Sequence, residues 1–372
     1  MIQRLLLVVL VLGFFGCGGD EEDPVNPPER FGPYRVGFRY IEFFDEVRDR
    51  SAYTAVWYPG LRPQSGAQKV MYLSVFEGRA YQDAALDDYA APYPLVMFSH
   101  GFQGIGIQSF TLCEHLASQG FIVAAPNHEG NTIFDDSSDE EVAQIVFERP
   151  VDIIFTMSEL QAHADFASAI DPERIGIAGH SFGGYTTLVL AGAEGDAETA
   201  QAHCAASGGE GVFCPYVDYW EAGDVVRPPP GAEVFKAALS LAPGGYGAFG
   251  DEGLSKVDMP LMIMGGDLDD MTGEEVLPIY DALPAPKHKI LIEGAGHMSF
   301  TDICRLDLPV PELEEMCDPS IYMDIDRAFE IIDVFAAAFF RRELCGEKSM
   351  AGYLDPAFAA TLPEATYESD TE

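Results

Sequence analysis

The stretch that most constrains this chain is IGIAGHSFGGYTTLVLAGA, residues 175–193. A short apolar run, Ile175–Gly179, meets a helix-length apolar run, Phe182–Ala193, across Gly179-His180-Ser181-Phe182-Gly183. G-x-S-x-G between a strand and a helix is a sharp turn that lifts a serine hydroxyl out of a sheet edge. Side chains at 179 and 183 would crowd such a turn. The helix start aims free backbone N–H groups at the same spot. A dinucleotide-binding loop is the competing reading, and its G-x-G-x-x-G is not matched here.

The rest of the chain repeats the rhythm. Strands are expected at Ala52–Tyr58, Tyr93–Ser99, Phe121–Pro126, Ile175–Gly179, Ala237–Leu241, Leu261–Gly265 and Lys289–Ile292. They are short, apolar or β-branched, and bounded by Gly, Pro or charge. Helices are expected at Ser109–Ser118, Pro150–Ser168, Phe182–Ala193, Glu274–Leu283 and Ile325–Leu344. Pro150 is placed in a first helical turn, where a missing N–H costs nothing. Alternation of this kind implies an α/β fold, a mostly parallel central sheet with helices on both faces. Residues 194–235 break the rhythm with Gly, a Pro triplet and the aromatic cluster Phe213, Tyr216, Tyr219 and Trp220. They read as a small cap-like insertion whose aromatics shape a substrate pocket.

A serine hydroxyl is a weak nucleophile and needs a base. On a strand–turn–helix scaffold the acid and then the histidine follow the serine in sequence. Two histidines follow at suitable distance. His297 closes LIEGAGH, a strand leading into a glycine-rich loop, and is the expected base. His288 precedes that strand and is read as a surface residue at the opposite edge. The acid comes from the loop Gly266-Asp267-Leu268-Asp269-Asp270. Asp269 is preferred for its G-x-x-D spacing, with Asp267 and Asp270 left open. The oxyanion donors are the N–H groups of Phe182, after the nucleophile, and Phe102, in the loop after YPLVMFS. His100 and His128 are assigned bracing roles. No cysteine spacing suggests zinc, and neither a metal nor a cofactor is expected.

At the start, Arg4 precedes an apolar run from Leu5 to Phe15. That is too short for a bilayer span of about 20 residues and suits a secretory signal over 1–16. Gly16-Cys17 has the form of a lipoprotein processing site, with Cys17 acylated as a membrane anchor. Residues 17–32 are acidic and proline-rich and read as a tether, 33–345 as the catalytic domain and 346–372 as a partly ordered tail. Export permits disulfides, and Cys204–Cys214 and Cys304–Cys317 are the expected pairs, with Cys113 a free core thiol. The net charge of −40 excludes sequence-independent binding to nucleic acid and disfavours anionic lipid surfaces.

FSHGFQG, LCEHLASQGFIVAAPNH, IGIAGHSFGGYTTL and GAGHMSFTD occur in that order, with the weaker VGFRYIEFFDEVRDR and AVWYP before them. Over roughly 35–345 the chain resembles the α/β-hydrolase superfamily, and within it bacterial relatives of platelet-activating-factor acetylhydrolase, grouped with dienelactone-hydrolase-like esterases. True dienelactone hydrolases use a cysteine where this chain has Ser181. The resemblance implies an α/β-hydrolase fold and cofactor-free hydrolysis of short-chain acyl esters, phospholipid-like esters among them. Polyester-cleaving, cutinase-like or lipase activity is the nearest alternative. A non-catalytic, ligand-binding surface lipoprotein is the alternative from a different class.

Overall fold

The apolar runs become the middle of one eleven-stranded sheet. A computed structural model describes residues 26–62, 65–209, 211–305 and 311–371. In chain order the strands and helices are β1 (Arg35–Asp45), β2 (Arg50–Gly60), β3 (Lys69–Tyr72), β4 (Phe76–Gln82), β5 (Tyr93–Ser99), α1 (Phe110–Ser118), β6 (Ile122–Pro126), α2 (Asp139–Ala162), β7 (Ile170–His180), α3 (Phe182–Leu190), β8 (Gly195–Asp196), α4 (Ala197–Ser207), β9 (Val225–Val226), β10 (Phe235–Leu241), α5 (Tyr246–Leu254), β11 (Leu261–Gly266), α6 (Leu277–Ala282), β12 (Lys287–Ile292), α7 (Pro311–Met316), α8 (Ile325–Cys345), α9 (Pro356–Ala359) and β13 (Ala365–Asp370).

The sheet order is β13-β12-β11-β10-β7-β5-β6-β2-β1-β4-β3. From β6 to β12 every pairing is parallel. Antiparallel pairs flank this block on both sides. The central parallel strands β5, β6 and β11 are buried at every position, which is why their sequences are continuously apolar rather than alternating. One core lies between the sheet and α2, α3 and the 194–235 segment. The other lies between the opposite face, α1 and α8. All the parallel strands end at the same edge, so the loops after β5, β7, β11 and β12 meet there.

Several expectations change. The second helix begins at Asp139, not Pro150, because Ser138 and Glu141 form a capping box. Pro150 lies inside that helix and removes one of its hydrogen bonds. The helix expected from Glu274 opens with a π-helical turn, Thr272–Val276, before α6. The outer strands β1, β3, β4 and β13 escaped the reading, since their residues alternate or carry charge. Residues 346–371 are not a loose tail: β13 pairs with β12 along its whole length. Residues 26–32 are likewise held against the body rather than free. Pro28 O is bound by His115, Asn26 O by Arg341, and Gly32 N–H donates to Ser118.

The pairs Cys204–Cys214 and Cys304–Cys317 are disulfides, and Cys113 is a buried free thiol. Cys345 is disulfide-bonded as well. Such bonds persist in oxidising compartments, outside the cytoplasm. Among the described residues no helix is long and apolar enough to cross a membrane. The leader, Cys17 and the first part of the expected tether lie outside the described residues.

Candidate active site

Ser181 stands between β7 and α3 at φ 56° and ψ −116°. A positive φ is strained for a residue with a side chain and is kept only where its surroundings enforce it. Here the Ser181 N–H donates to Leu241 O at 2.9 Å, and the Ser181 carbonyl accepts from Tyr185 N–H at 3.1 Å. A Cβ on Gly183 would collide with the Ser99 carbonyl, and one on Gly179 with the Gly183 carbonyl. The two glycines therefore let α3 start directly against the ends of β5 and β7.

His297 opens a short 3-10 turn after β12. Its Nδ1–H donates to Asp269 Oδ2 at 2.9 Å. The other Asp269 oxygen accepts from Met271 N–H at 3.0 Å. The Asp269 side chain is 2% exposed, and that of His297 16%. Asp267 and Asp270 are exposed, and Asp267 instead binds Gly294 N–H. Of the three carboxylates left open, the one that meets His297 is Asp269. With Nδ1–H committed to a carboxylate, the Nε2 lone pair of His297 is free to accept a proton.

His180 ties His297 to the turn that carries Ser181. Its ring centroid lies 4.8 Å from that of His297. Its Nε2–H donates to the His297 carbonyl at 2.9 Å, and its Nδ1 accepts from Gln108 Nε2 at 3.2 Å. The other end of Gln108, Oε1, accepts from Gly101 N–H at 3.0 Å. One amide thus joins the loop after β5 to the residue before Ser181. A Cβ built on Gly101 would lie 3.5 Å from the Ser181 Cβ, so that loop passes directly beside the nucleophile. Burial, aided by His297, holds the His180 imidazole well below its usual pKa, hence neutral.

The loop is fixed by its carbonyls. Gly101 O accepts from His100 Nδ1–H at 2.8 Å and from Gly104 N–H at 3.1 Å. In a trans peptide the following N–H points the opposite way. Pinning Gly101 O therefore orients Phe102 N–H away from these donors. Phe182 is the first residue of α3, where N–H groups lack helical partners. Behind the loop lies a buried polar layer. Ser99 Oγ–H donates to His128 Nε2 at 2.9 Å, and His128 Nδ1–H donates to Asp152 at 3.0 Å. His128 N–H donates to His100 Nε2 at 3.0 Å. Burial and the charge of Arg149 push both imidazoles well below the usual range.

Gln108 and Arg149 were not legible in the sequence. An Arg inside an amphipathic helix reads as solvated, and a Gln in a loop has no pattern at all. His288 is a correction: it is 1% exposed, with Nδ1 2.6 Å from Tyr367 Oη. The unforeseen strand β13 covers it, and burial pushes its pKa down to about 4. The cap aromatics divide. Phe213 and Trp220 are core residues, Phe213 packing on Phe182 and Tyr185, and Trp220 on Phe147. Tyr216 faces Phe102 at 6.5 Å, and Tyr219 is exposed. Among the described residues no cluster is suited to a metal.

A family model described as chlorophyllase matches residues 86–206. That stretch holds the loop after β5 and Ser181. The chain is 30% identical over 94 residues to a pimeloyl-[acyl-carrier protein] methyl ester esterase of Sodalis glossinidius, 25% of this chain and 34% of that protein. It is 34% identical over 97 residues to YitV of Bacillus subtilis, named as an esterase, 26% of this chain and 38% of that protein. The chain thus spans little more than a third of these curated relatives. A ferulic acid esterase from Streptomyces cinnamoneus superposes with a TM-score of 0.64 at 21% identity, covering 93% of this chain and 98% of that one. The fold is that of the α/β-hydrolases.

Proposed function

We propose that this α/β-hydrolase-fold chain is an exported serine carboxylester hydrolase. The observation that carries the reading is the buried Asp269–His297 pair, locked through His180 to the strained turn that presents Ser181. Ser181 Oγ attacks the ester carbonyl while His297 Nε2 takes its proton. The negative charge that develops on the carbonyl oxygen falls between Phe102 N–H and Phe182 N–H. His297 returns the proton to the leaving alkoxide, and Asp269 stabilises the imidazolium without taking a proton itself. Water, deprotonated by His297, then clears the acyl-enzyme. Each step conserves atoms and needs no cofactor.

The substrates proposed are short-chain acyl esters, acetylated phospholipid-like esters among them. The two curated relatives and the similar solved structure are named as esterases, one of them for a methyl ester. The neighbouring rings of Phe102 and Tyr216 suit an apolar group beside the ester. Anchoring through an acylated Cys17 belongs to the same proposal. The test is turnover of p-nitrophenyl esters of increasing chain length, with an acetylated phospholipid and a feruloyl ester alongside. Ser181→Ala should lower kcat on the order of 10⁴-fold or more. Retained turnover by pure Ser181→Ala protein would sink the mechanism. Tolerance of long chains or of polymer film would move the substrate to the lipase or cutinase class.

A further inference from the structure

Arg149 lies in the middle of α2 at 0% exposure. Its described hydrogen bonds all go to neutral acceptors. Nη1 donates to Asn131 Oδ1 at 2.7 Å, Nη2 to Ser99 Oγ at 3.1 Å and to the His100 carbonyl, and Nε to Thr186 Oγ1 at 3.2 Å. Cζ stands 4.5 Å from the centre of the Phe182 ring. Burying a cation without an ion pair is expensive, and a Met or Leu would fill a helix core more cheaply. Packing alone therefore does not account for an arginine here.

Its contacts fall on the two segments that carry the oxyanion donors. His100 O belongs to the peptide just before Gly101–Phe102. Arg149 holds the first of these carbonyls, and the His100 ring with Gly104 N–H holds the second. On the other side, Thr186 Oγ1 passes the contact on by donating to Phe182 O at 3.1 Å, while the guanidinium lies against the Phe182 ring. Each polar group behind Arg149 has one direction. Ser99 accepts from Arg149 and donates to His128; His128 donates to Asp152; Asp152 accepts from Arg48 and Arg50 at 2.8–2.9 Å. The chain has the form of a Ser–His–Asp relay, yet Ser99 and His128 are wholly buried, so it anchors the guanidinium rather than meeting a substrate.

We propose that Arg149 is the positioning residue of the oxyanion-binding site: it clamps the His100–Phe102 loop to the start of α3, fixing the spacing of the two N–H donors beside a permanent positive charge. The inference rests on the serine-hydrolase reading. Arg149→Met, Arg149→Lys and Ser99→Ala are compared with wild type and Ser181→Ala on a p-nitrophenyl ester, with melting temperature measured for each. For folded Arg149→Met the expected loss is about 10²–10³-fold in kcat, the size of a lost oxyanion donor, with KM within about threefold. Affinity for a trifluoromethyl ketone, which forms an oxyanion on Ser181, should fall with kcat/KM, while affinity for the product acid holds. Arg149→Lys should recover about tenfold over Arg149→Met, since it restores charge and one donor. Folded Arg149→Met with kcat within about threefold of wild type overturns the proposal. So does an equal loss of kcat, ketone binding and product binding, which is the signature of fewer folded molecules. Should Arg149→Met not fold, Ser99→Ala decides: about a tenfold loss of kcat at constant KM supports the clamp, and unchanged kcat overturns it. A wild type that turns over no ester removes the hydrolase reading and this one with it. An active wild type, a dead Ser181→Ala and an unimpaired Arg149→Met remove this one alone.

Discussion

The Asp269 carboxylate accepts from a backbone N–H with one oxygen and from His297 with the other, almost out of contact with water. An amide in its place would offer an N–H toward His297 and favour the wrong tautomer. Asp269→Asn is therefore expected to lower kcat on the order of 10⁴-fold with the fold intact; a loss below about tenfold on purified protein would remove Asp269 from the mechanism. Ser181 and His297 were legible because each is announced locally, by glycines around a strand–helix turn and by a glycine loop after a strand. Asp269 was preferred over Asp267 and Asp270 on its spacing alone, and its burial and contact with His297 set it apart from them. Gln108 and Arg149 had no local announcement, since partners that give them a role lie in other segments: His180 for one, Ser99, Asn131 and Thr186 for the other.

Elements were legible where burial is two-sided. β5, β10 and β11 are largely apolar and match the expected strands closely at their ends, whereas β7 starts at Ile170 rather than the expected Ile175 because its first residues are polar. β13 was missed because ATYESD is half-exposed and charged, and only pairing with β12 makes it a strand. Its arrival converts His288 from a surface residue into a core one. The His288 pKa of about 4 lies below the ~6.5 of a free imidazole. Below pH 6.5 the unfolded chain takes up a proton that the folded one refuses. The stabilisation from neutral His288 is therefore whole above pH 6.5 and is lost as pH falls toward 4, about 3 kcal/mol in all. Urea unfolding of wild type and His288→Gln at pH 7 and pH 4 tests this. Wild type should lose about 3 kcal/mol more than the variant on acidification, and parallel losses would mean that His288 is not held neutral. α2 shows the reverse error. Pro150 misled the reading, while the Ser138–Glu141 capping box, equally present in the sequence, marks the true start.

For the whole molecule, both ends of the described chain are fastened to the α/β body. Residues 26–32 bind α1 and α8 through backbone carbonyls, and β13 closes one edge of the sheet. Cys345, at the end of α8, is disulfide-bonded. The anchor proposed at Cys17 makes a sharp prediction of its own. Mass spectrometry of protein from membranes should find Cys17 carrying a diacylglycerol. A Cys17 recovered without the lipid would dismiss the anchor. The sequence alone determined the α/β class and singled out Ser181 and His297 as the proposed nucleophile and base, because strand–helix alternation and glycine-bounded turns are written in contiguous residues. Which carboxylate serves His297, how the loop after β5 is clamped, and which surface histidine becomes core were decided only by tertiary structure. Those outcomes depend on burial and on hydrogen bonds between segments far apart in the chain, and no local pattern encodes such meetings.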